Sequence, residues 1–172
     1  MSGHNIEHDE RVVAFVDIAH QYCTLIESRA TFSRPDFIKE CAAILAQLFA
    51  DAVRLLDVTV EDFDGSDLEG MSHDERCVIF ENLQQMLGDD DRYWLVFDPY
   101  KKEEPIISFL SDDLSDTYRD VKTGLDLFGR TKGDSQKAVW AWQFNFLQHW
   151  SHHCANALRA IRCILVRMDE EN

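Results

Sequence analysis

The sequence predicts an all-α protein: a single-domain helical bundle of about five helices that ends in a long C-terminal helix. Three observations predict this fold. The 172 residues include only seven glycines and three prolines, too little turn material for many short strands. The hydrophobic share is 45%, with eleven Phe and four Trp, which suffices for a core in one domain of this length. Apolar residues also recur at alternating gaps of three and four, the period of a helix.

The first two helices are predicted in the N-terminal third. A first helix over about 9–28 is indicated by an apolar stripe of Val12, Val16, Ala19, Cys23 and Ile26. Ser33 is a good N-cap, and Pro35 suits the first turn of a second helix. This second helix is expected to end near Asp57.

An acidic loop is predicted over 58–71, because acids and two glycines replace the helical period there. Ser72 with Glu75 three residues later is typical of a capping box, which starts the third helix. Gly88 is a natural residue to end this helix.

An aromatic connection follows over 89–104. At this length, periodicity does not distinguish a short strand from a last helical turn that runs into an extended segment. A structural lid over the core is the preferred interpretation, and a ligand-binding rim is the alternative. The candidate binding residues combine large apolar area with a polar tip or charge: Tyr93, Trp94, Phe97, Asp98 and Tyr100.

The last two helices carry the clearest periodicity. The fourth is predicted to open at Pro105 and end at Gly129, and its acidic stripe of Asp112, Asp116 and Asp120 is expected to face solvent. The fifth is predicted from about 134 to 168, roughly 50 Å long. It has two nearly opposite apolar stripes, so we expect it to pack on two sides, in the centre of the bundle or at a homodimer seam. One stripe includes Trp140, Phe144, Leu147, Trp150 and Cys154; the other includes Trp142, Phe146, His149 and His153.

The net charge of −15 is concentrated in one part of the chain. Residues 57–116 hold 18 Asp or Glu against 4 Lys or Arg, 18 − 4 = 14 net negative charges. Such a field repels phosphate backbones, so no nucleic-acid partner is expected, and it attracts a basic protein. No apolar run is long enough for a membrane span, and the N-terminus lacks the layout of a signal peptide. Five cysteines without a C-x-x-C pair are interpreted as buried reduced thiols of a cytoplasmic protein.

A histidine cluster near the C-terminus is the best candidate for a metal site. His149 and His153 are four residues apart, so they share one helix face and can share one metal ion. Further ligands must come from other helices, and Asp17, His20 and Asp116 are the candidates. Packing against aromatic side chains is the preferred interpretation, so no metal or cofactor is predicted; a site of His20, His149 and His153 is the weaker alternative.

Several segments resemble a bacterial family known as domain of unknown function 5063. They are Phe15-Val16-Asp17, Tyr22-Cys23, the run from Tyr93 to Tyr100, Glu104-Pro105, the run from Leu110 to Asp120, Phe144-Asn145-Phe146, Trp150 and the run from Asn156 to Ala160. The resemblance implies an all-helical bacterial cytoplasmic protein, and it supplies no activity, cofactor or site residue.

The sequence contains no nucleophile elbow, H-E-x-x-H, Walker or dinucleotide-binding motif. The leading hypothesis is therefore a non-enzymatic protein that acts through protein–protein interaction on its acidic surface. The alternative is a metal-dependent helical-bundle enzyme that uses a histidine and carboxylate site.

Overall fold

The structure is a computed structural model that describes residues 6–61, 63 and 70–170. These residues form a helical bundle with one small antiparallel sheet, so the predicted all-α class and the long C-terminal helix are confirmed. The elements are α1 (Glu10–Glu27), α2 (Arg34–Leu55), α3 (His73–Leu87), β1 (Arg92–Leu95), β2 (Ile106–Phe109), α4 (Leu110–Leu127), α5 (Lys132–Asn145) and α6 (Ser151–Glu170).

The second and third helices begin at the residues that their caps predict. The Ser33 side chain accepts a hydrogen bond from the backbone N–H of Asp36 at the start of α2. At the start of α3, Ser72 and Glu75 form both halves of a capping box. These caps satisfy backbone N–H groups that lack partners within the helix, so they fix where each helix begins.

The aromatic connection forms the first strand of a β-hairpin and the loop after it, which resolves the alternatives left open by the sequence. β1 pairs with β2 antiparallel, with Trp94 opposite Ile107. The predicted start of the fourth helix at Pro105 is therefore wrong, and α4 begins at Leu110. The β-branched residues Ile106 and Ile107 favour the strand, and their backbone groups are committed to β1.

The start of α4 is capped by a residue outside the helix. Asp91 accepts hydrogen bonds from the backbone nitrogen of Ser111 at 2.7 Å and from its hydroxyl at 3.0 Å. The Asp91 carbonyl also accepts from the backbone nitrogen of Leu110 at 2.8 Å. This distant cap explains a helix start that has no local capping sequence.

Helix α4 is the central element, in contact with α1, α3, α5 and α6. Because it is covered on nearly all sides, two members of its acidic stripe are buried: Asp116 and Asp120 are each 7% exposed. The expected solvated face is therefore wrong for these residues. Asp112 alone keeps substantial exposure, with 40% of its side chain accessible.

The C-terminal helical run extends from residue 132 to 170 and contains a π-helical turn, Phe146–Trp150, between α5 and α6. A π turn holds more residues than an α turn, so it shifts the buried stripe in register. The stripe becomes Trp142, Phe146, Trp150, Cys154, Ala157, Ile161 and Ile164. Phe144 and Leu147, which were expected in a buried stripe, are 48% and 63% exposed.

The predicted acidic loop lies partly outside the described residues. Residues 58–61, 63, 70 and 71 belong to no helix or strand, and residues 62 and 64–69 fall outside the description. Over the described part of the chain, no helix has both the length and the apolar character needed to cross a bilayer.

Candidate metal centre

Three side chains from the centre of the bundle converge on one point. Asp116 comes from α4, His149 from the π turn and His153 from α6. One ligand atom from each lies within 4.8 Å of the other two, which is close enough for a single metal ion. We call these residues the Asp–His–His cluster. The shared face that the four-residue spacing of His149 and His153 predicts is thus confirmed, with ring centroids 4.8 Å apart.

His153 is oriented by a buried carboxylate. Its Nδ1 lies 2.8 Å from Oδ1 of Asp113, which is 1% exposed. Tyr93 of β1 donates its hydroxyl hydrogen bond to the other oxygen of Asp113. With the Nδ1 proton donated to Asp113, the lone pair of His153 is on Nε2, which faces Oδ2 of Asp116 at 3.7 Å.

His149 is oriented in the same way by a second buried carboxylate. Its Nδ1 lies 2.7 Å from Oδ2 of Asp120. A proton donated from Nδ1 to Asp120 leaves the lone pair on Nε2. Both histidines therefore have the arrangement usual for metal ligands, in which the second ring nitrogen donates to a carboxylate.

Two arginines contact Oδ1 of Asp116, the carboxylate oxygen that does not face His153. Arg76 from α3 and Arg119 from α4 place guanidinium nitrogens 3.3 Å and 3.1 Å from Oδ1. The other oxygen, Oδ2, is the one directed toward His153. Asp116 is thus arranged to bind a metal through a single oxygen.

The charges around the cluster do not cancel. Two guanidinium groups face four carboxylates, so the ionised network has two net negative charges when the histidines are neutral. The network consists of Arg76, Arg119, Asp112, Asp113, Asp116 and Asp120. A divalent cation would neutralise it.

Burial and the neighbouring carboxylates act in opposite directions on His153. Burial lowers its pKa, but the hydrogen bond to Asp113 and the charges of Asp113, Asp116 and Asp112 outweigh burial and raise it. Burial raises the pKa of Asp113 although His153 and Tyr93 hydrogen-bond to it. His152, which has no carboxylate partner of this kind, has a lowered pKa because of burial and the neighbouring His153 and His149.

One side of the cluster is open. The side chains of Asp116 and His153 are 10% and 13% exposed, whereas that of His149 is 33% exposed. Three protein ligands with an accessible side are typical of catalytic sites, which keep a coordination position for water or substrate. Structural zinc sites instead use four protein ligands.

The structure does not bring every predicted candidate to this site. His20 and Asp17 are exposed on α1 and do not belong to the cluster. Asp116, one of several acids named from the sequence, supplies the third ligand. Sequence reasoning missed Asp113 and Asp120 as partners of the histidines. The signal was present in their spacing from Asp116, three and four residues, which places all three on adjoining faces of one helix.

The candidate binding residues of the aromatic connection lie in β1 (Tyr93 and Trp94) and in the segment that follows it (Phe97, Asp98 and Tyr100). Tyr93 points inward and reaches Asp113, so it is the one that joins the site network. Trp94 and Tyr100 are 63% and 98% exposed, and Asp98 pairs with Lys101 at 2.9 Å. The Phe97 ring lies 6.0 Å from that of His152, beside the cluster. A role of these residues in binding stays a prediction.

The chain is similar in fold to a solved structure, that of protein BF1032 from Bacteroides fragilis. The TM-score is 0.80 and the sequence identity 24%, over 92% of this chain and 94% of that one. No functionally curated protein matches the chain. A family profile described as "Domain of unknown function (DUF5063)" matches residues 6–167, nearly the full length, and the chain therefore belongs to this family.

Proposed function

We propose that this protein is a metal-dependent enzyme that binds one divalent transition-metal ion through Asp116, His149 and His153 and uses it for hydrolysis. The observation that carries the proposal is the convergence of the three ligand atoms within 4.8 Å. Two imidazole nitrogens and one carboxylate oxygen are a ligand set that proteins use for catalytic zinc and for non-haem iron.

The surroundings of the cluster support a cation rather than simple packing. A histidine that only fills space needs one hydrogen bond, whereas His153 also directs Nε2 toward Oδ2 of Asp116, at 3.7 Å. The two net negative charges of the network match the charge of a divalent ion. Three of the four carboxylates are buried, where uncompensated negative charge is costly.

The open side of His149 supports hydrolytic chemistry. A zinc ion with three protein ligands keeps a water molecule in its fourth position and lowers the pKa of that water to about 7. Asp113 and Asp120 hold the two imidazoles in place, which keeps the ligand geometry fixed during the reaction.

Metal analysis of the untagged protein tests the proposal. We expect about one bound equivalent of Zn²⁺, Mn²⁺ or Fe²⁺ (the last under anaerobic conditions) and a rise in melting temperature, because a ligand of the folded state stabilises it. Asp116→Asn, His149→Ala and His153→Ala should lose the ion. His152→Ala and His20→Ala are matched controls, since they remove histidines outside the cluster. Less than about a tenth of an equivalent, with no thermal shift, would rule out the metal site.

A second candidate function is binding of a basic protein partner by the acidic part of the chain. It is favoured by the exposed aromatic side chains of the hairpin, Trp94, Phe97 and Tyr100. Part of the charge is engaged internally, however: Asp91 and Asp113 are buried, and Asp90 pairs with Arg34 and Arg167. A pull-down from native lysate at low and high salt tests this idea, because an electrostatic partner must be released by salt.

We also propose a bacterial cytoplasmic location and a homodimer through the C-terminal helical run. The five cysteines are free thiols, which supports a reducing compartment. Phe144 and Leu147 lie exposed on the helical run. In a dimer, the two copies would cover this apolar area against one another. Light scattering that gives a monomer at tens of micromolar would exclude a tight dimer.

A further inference from the structure

We propose that Arg119 binds a carboxylate group of the substrate beside the metal ion, so that the enzyme acts on carboxylate-bearing molecules. This inference rests on the proposed metal centre. It concerns one side chain that lies within the cluster without being a ligand.

The guanidinium group of Arg119 is held in place by two acids of its own helix. Nη1 lies 3.1 Å from Oδ1 of Asp116, and Nε lies 3.1 Å from Oδ1 of Asp120. Asp116 is a proposed ligand and Asp120 orients the ligand His149. The position of Arg119 is thus fixed relative to the metal, and its side chain is still 31% exposed.

The third nitrogen of Arg119 lies against His149. Nη2 is 3.3 Å from Nδ1 and 3.5 Å from Nε2 of the imidazole. A metal ion on Nε2 of His149 would lie about 2.1 Å from that nitrogen, so an oxygen atom bound to the ion would lie near Nη2. Nδ1 of His149 donates its proton to Asp120, so with a metal ion on Nε2 this ring would offer Nη2 no acceptor.

A carboxylate fits this position better than a phosphate dianion. A divalent ion would bring the surrounding network to zero net charge when the histidines are neutral. A singly charged ligand then leaves one uncompensated charge, whereas a dianion leaves two in a partly buried site. One carboxylate oxygen can bind the metal while the other accepts from Nη2, a charge-assisted hydrogen bond.

Arg76 provides a matched control within the same site. It also contacts Oδ1 of Asp116, at 3.3 Å, and its second partner is Asp112. Within the described residues, its side chain hydrogen-bonds to these two aspartates and not to His149. The two arginines therefore share the task of holding Asp116, and they differ in access to the open side of the metal.

The test uses the full-length protein loaded with Co²⁺, whose visible spectrum reports changes in coordination. Cobalt content is measured first for the wild type, Arg119→Ala, Arg119→Lys and Arg76→Ala. Each loaded protein is then titrated with sodium acetate, with inorganic phosphate, and with sodium chloride at matched ionic strength. We expect saturable acetate binding that weakens about 10-fold or more in Arg119→Ala and much less in Arg76→Ala.

The outcomes separate the two proposals. A wild type that takes up no cobalt contradicts the metal centre itself. If the wild type binds cobalt, equal acetate affinity with and without Arg119, or tighter binding of phosphate than of acetate, overturns the carboxylate proposal. Loss of cobalt in both Arg119 variants but not in Arg76→Ala also overturns it, because Arg119 would then serve to hold the ligands.

Discussion

The Nδ1 atom of His153 lies 2.8 Å from Oδ1 of Asp113, and this carboxylate also receives the hydroxyl of Tyr93. One buried acid on the central helix thus links the β-hairpin to the C-terminal helix at the candidate metal centre. Tyr93 on one side and His153 on the other fix the position of Asp113, and Asp113 in turn orients the His153 ring.

Replacing this acid tests whether it prepares His153 for a metal. In Asp113→Asn the ring keeps an acceptor but loses the negative charge that makes the imidazole a better ligand. We expect metal affinity to fall about 10-fold or more, without loss of the ligands themselves. Competition with a chromophoric chelator measures this affinity. Asp112→Asn is the control, because Asp112 contacts Arg76 rather than a histidine. Equal affinity in Asp113→Asn and the wild type would contradict this role.

The contact between Gly124 and Trp142 gives a prediction about stability. The Trp142 indole nitrogen donates a 3.0 Å hydrogen bond to the carbonyl of Val121, one turn from Gly124 in α4. A Cβ atom at position 124 would overlap the five-membered ring of this fully buried indole. We expect Gly124→Ala to lower the free energy of unfolding by about 2 kcal/mol, since the core must shift to admit the methyl group. Chemical denaturation measures it.

Gly133 offers the matched control for this substitution. It lies in the first turn of α5, where an added Cβ would meet only the Thr131 hydroxyl oxygen, at 3.8 Å. Alanine favours the helix over glycine by about 1 kcal/mol, so Gly133→Ala should be neutral or stabilising. A similar loss of stability in both variants would show that the Trp142 contact is not the cause.

Local signals in the sequence were sufficient to place the first three helices. Ser72 and Glu75, for example, form the capping box within four residues, and no distant contact is needed. The burial of Asp116 and Asp120 could not be predicted from such local signals. An acid on a helix face is normally solvated. Here Asp116 can be buried because Arg76 from another helix is its partner, and Asp120 can be buried because His149 from the π turn is its partner.

The start of α4 depends on a long-range cap, and this gives a third prediction. Asp91, 3% exposed, holds both the backbone nitrogen and the hydroxyl of Ser111. Asp91→Ala leaves these buried donors without their acceptor, so we expect a loss of about 2 kcal/mol in the free energy of unfolding. Asp89→Ala removes an exposed acid of the same connection and should change it by less than about 0.5 kcal/mol. Comparable effects of the two substitutions would contradict the capping role.

The five cysteines differ in burial, which corrects the expectation that they are buried as a group. Cys23, Cys41 and Cys154 are buried, Cys77 is partly exposed and Cys163 is exposed. Burial raises the pKa of Cys154 to about 12 and raises those of Cys23 and Cys41 further still. These three thiols therefore form almost no thiolate at neutral pH, and the thiolate is the reactive species.

Titration of the native protein with a chromogenic disulfide reagent measures this difference. We expect Cys163 to react first, Cys77 more slowly, and the other three only after unfolding in guanidinium chloride. Cys163→Ser should remove the fast phase and leave the free energy of unfolding nearly unchanged, because this side chain lies on the surface. Fast reaction of three or more thiols would mean that the packing around Cys154, whose thiol donates to the carbonyl of Leu45 at 3.6 Å, opens readily in solution.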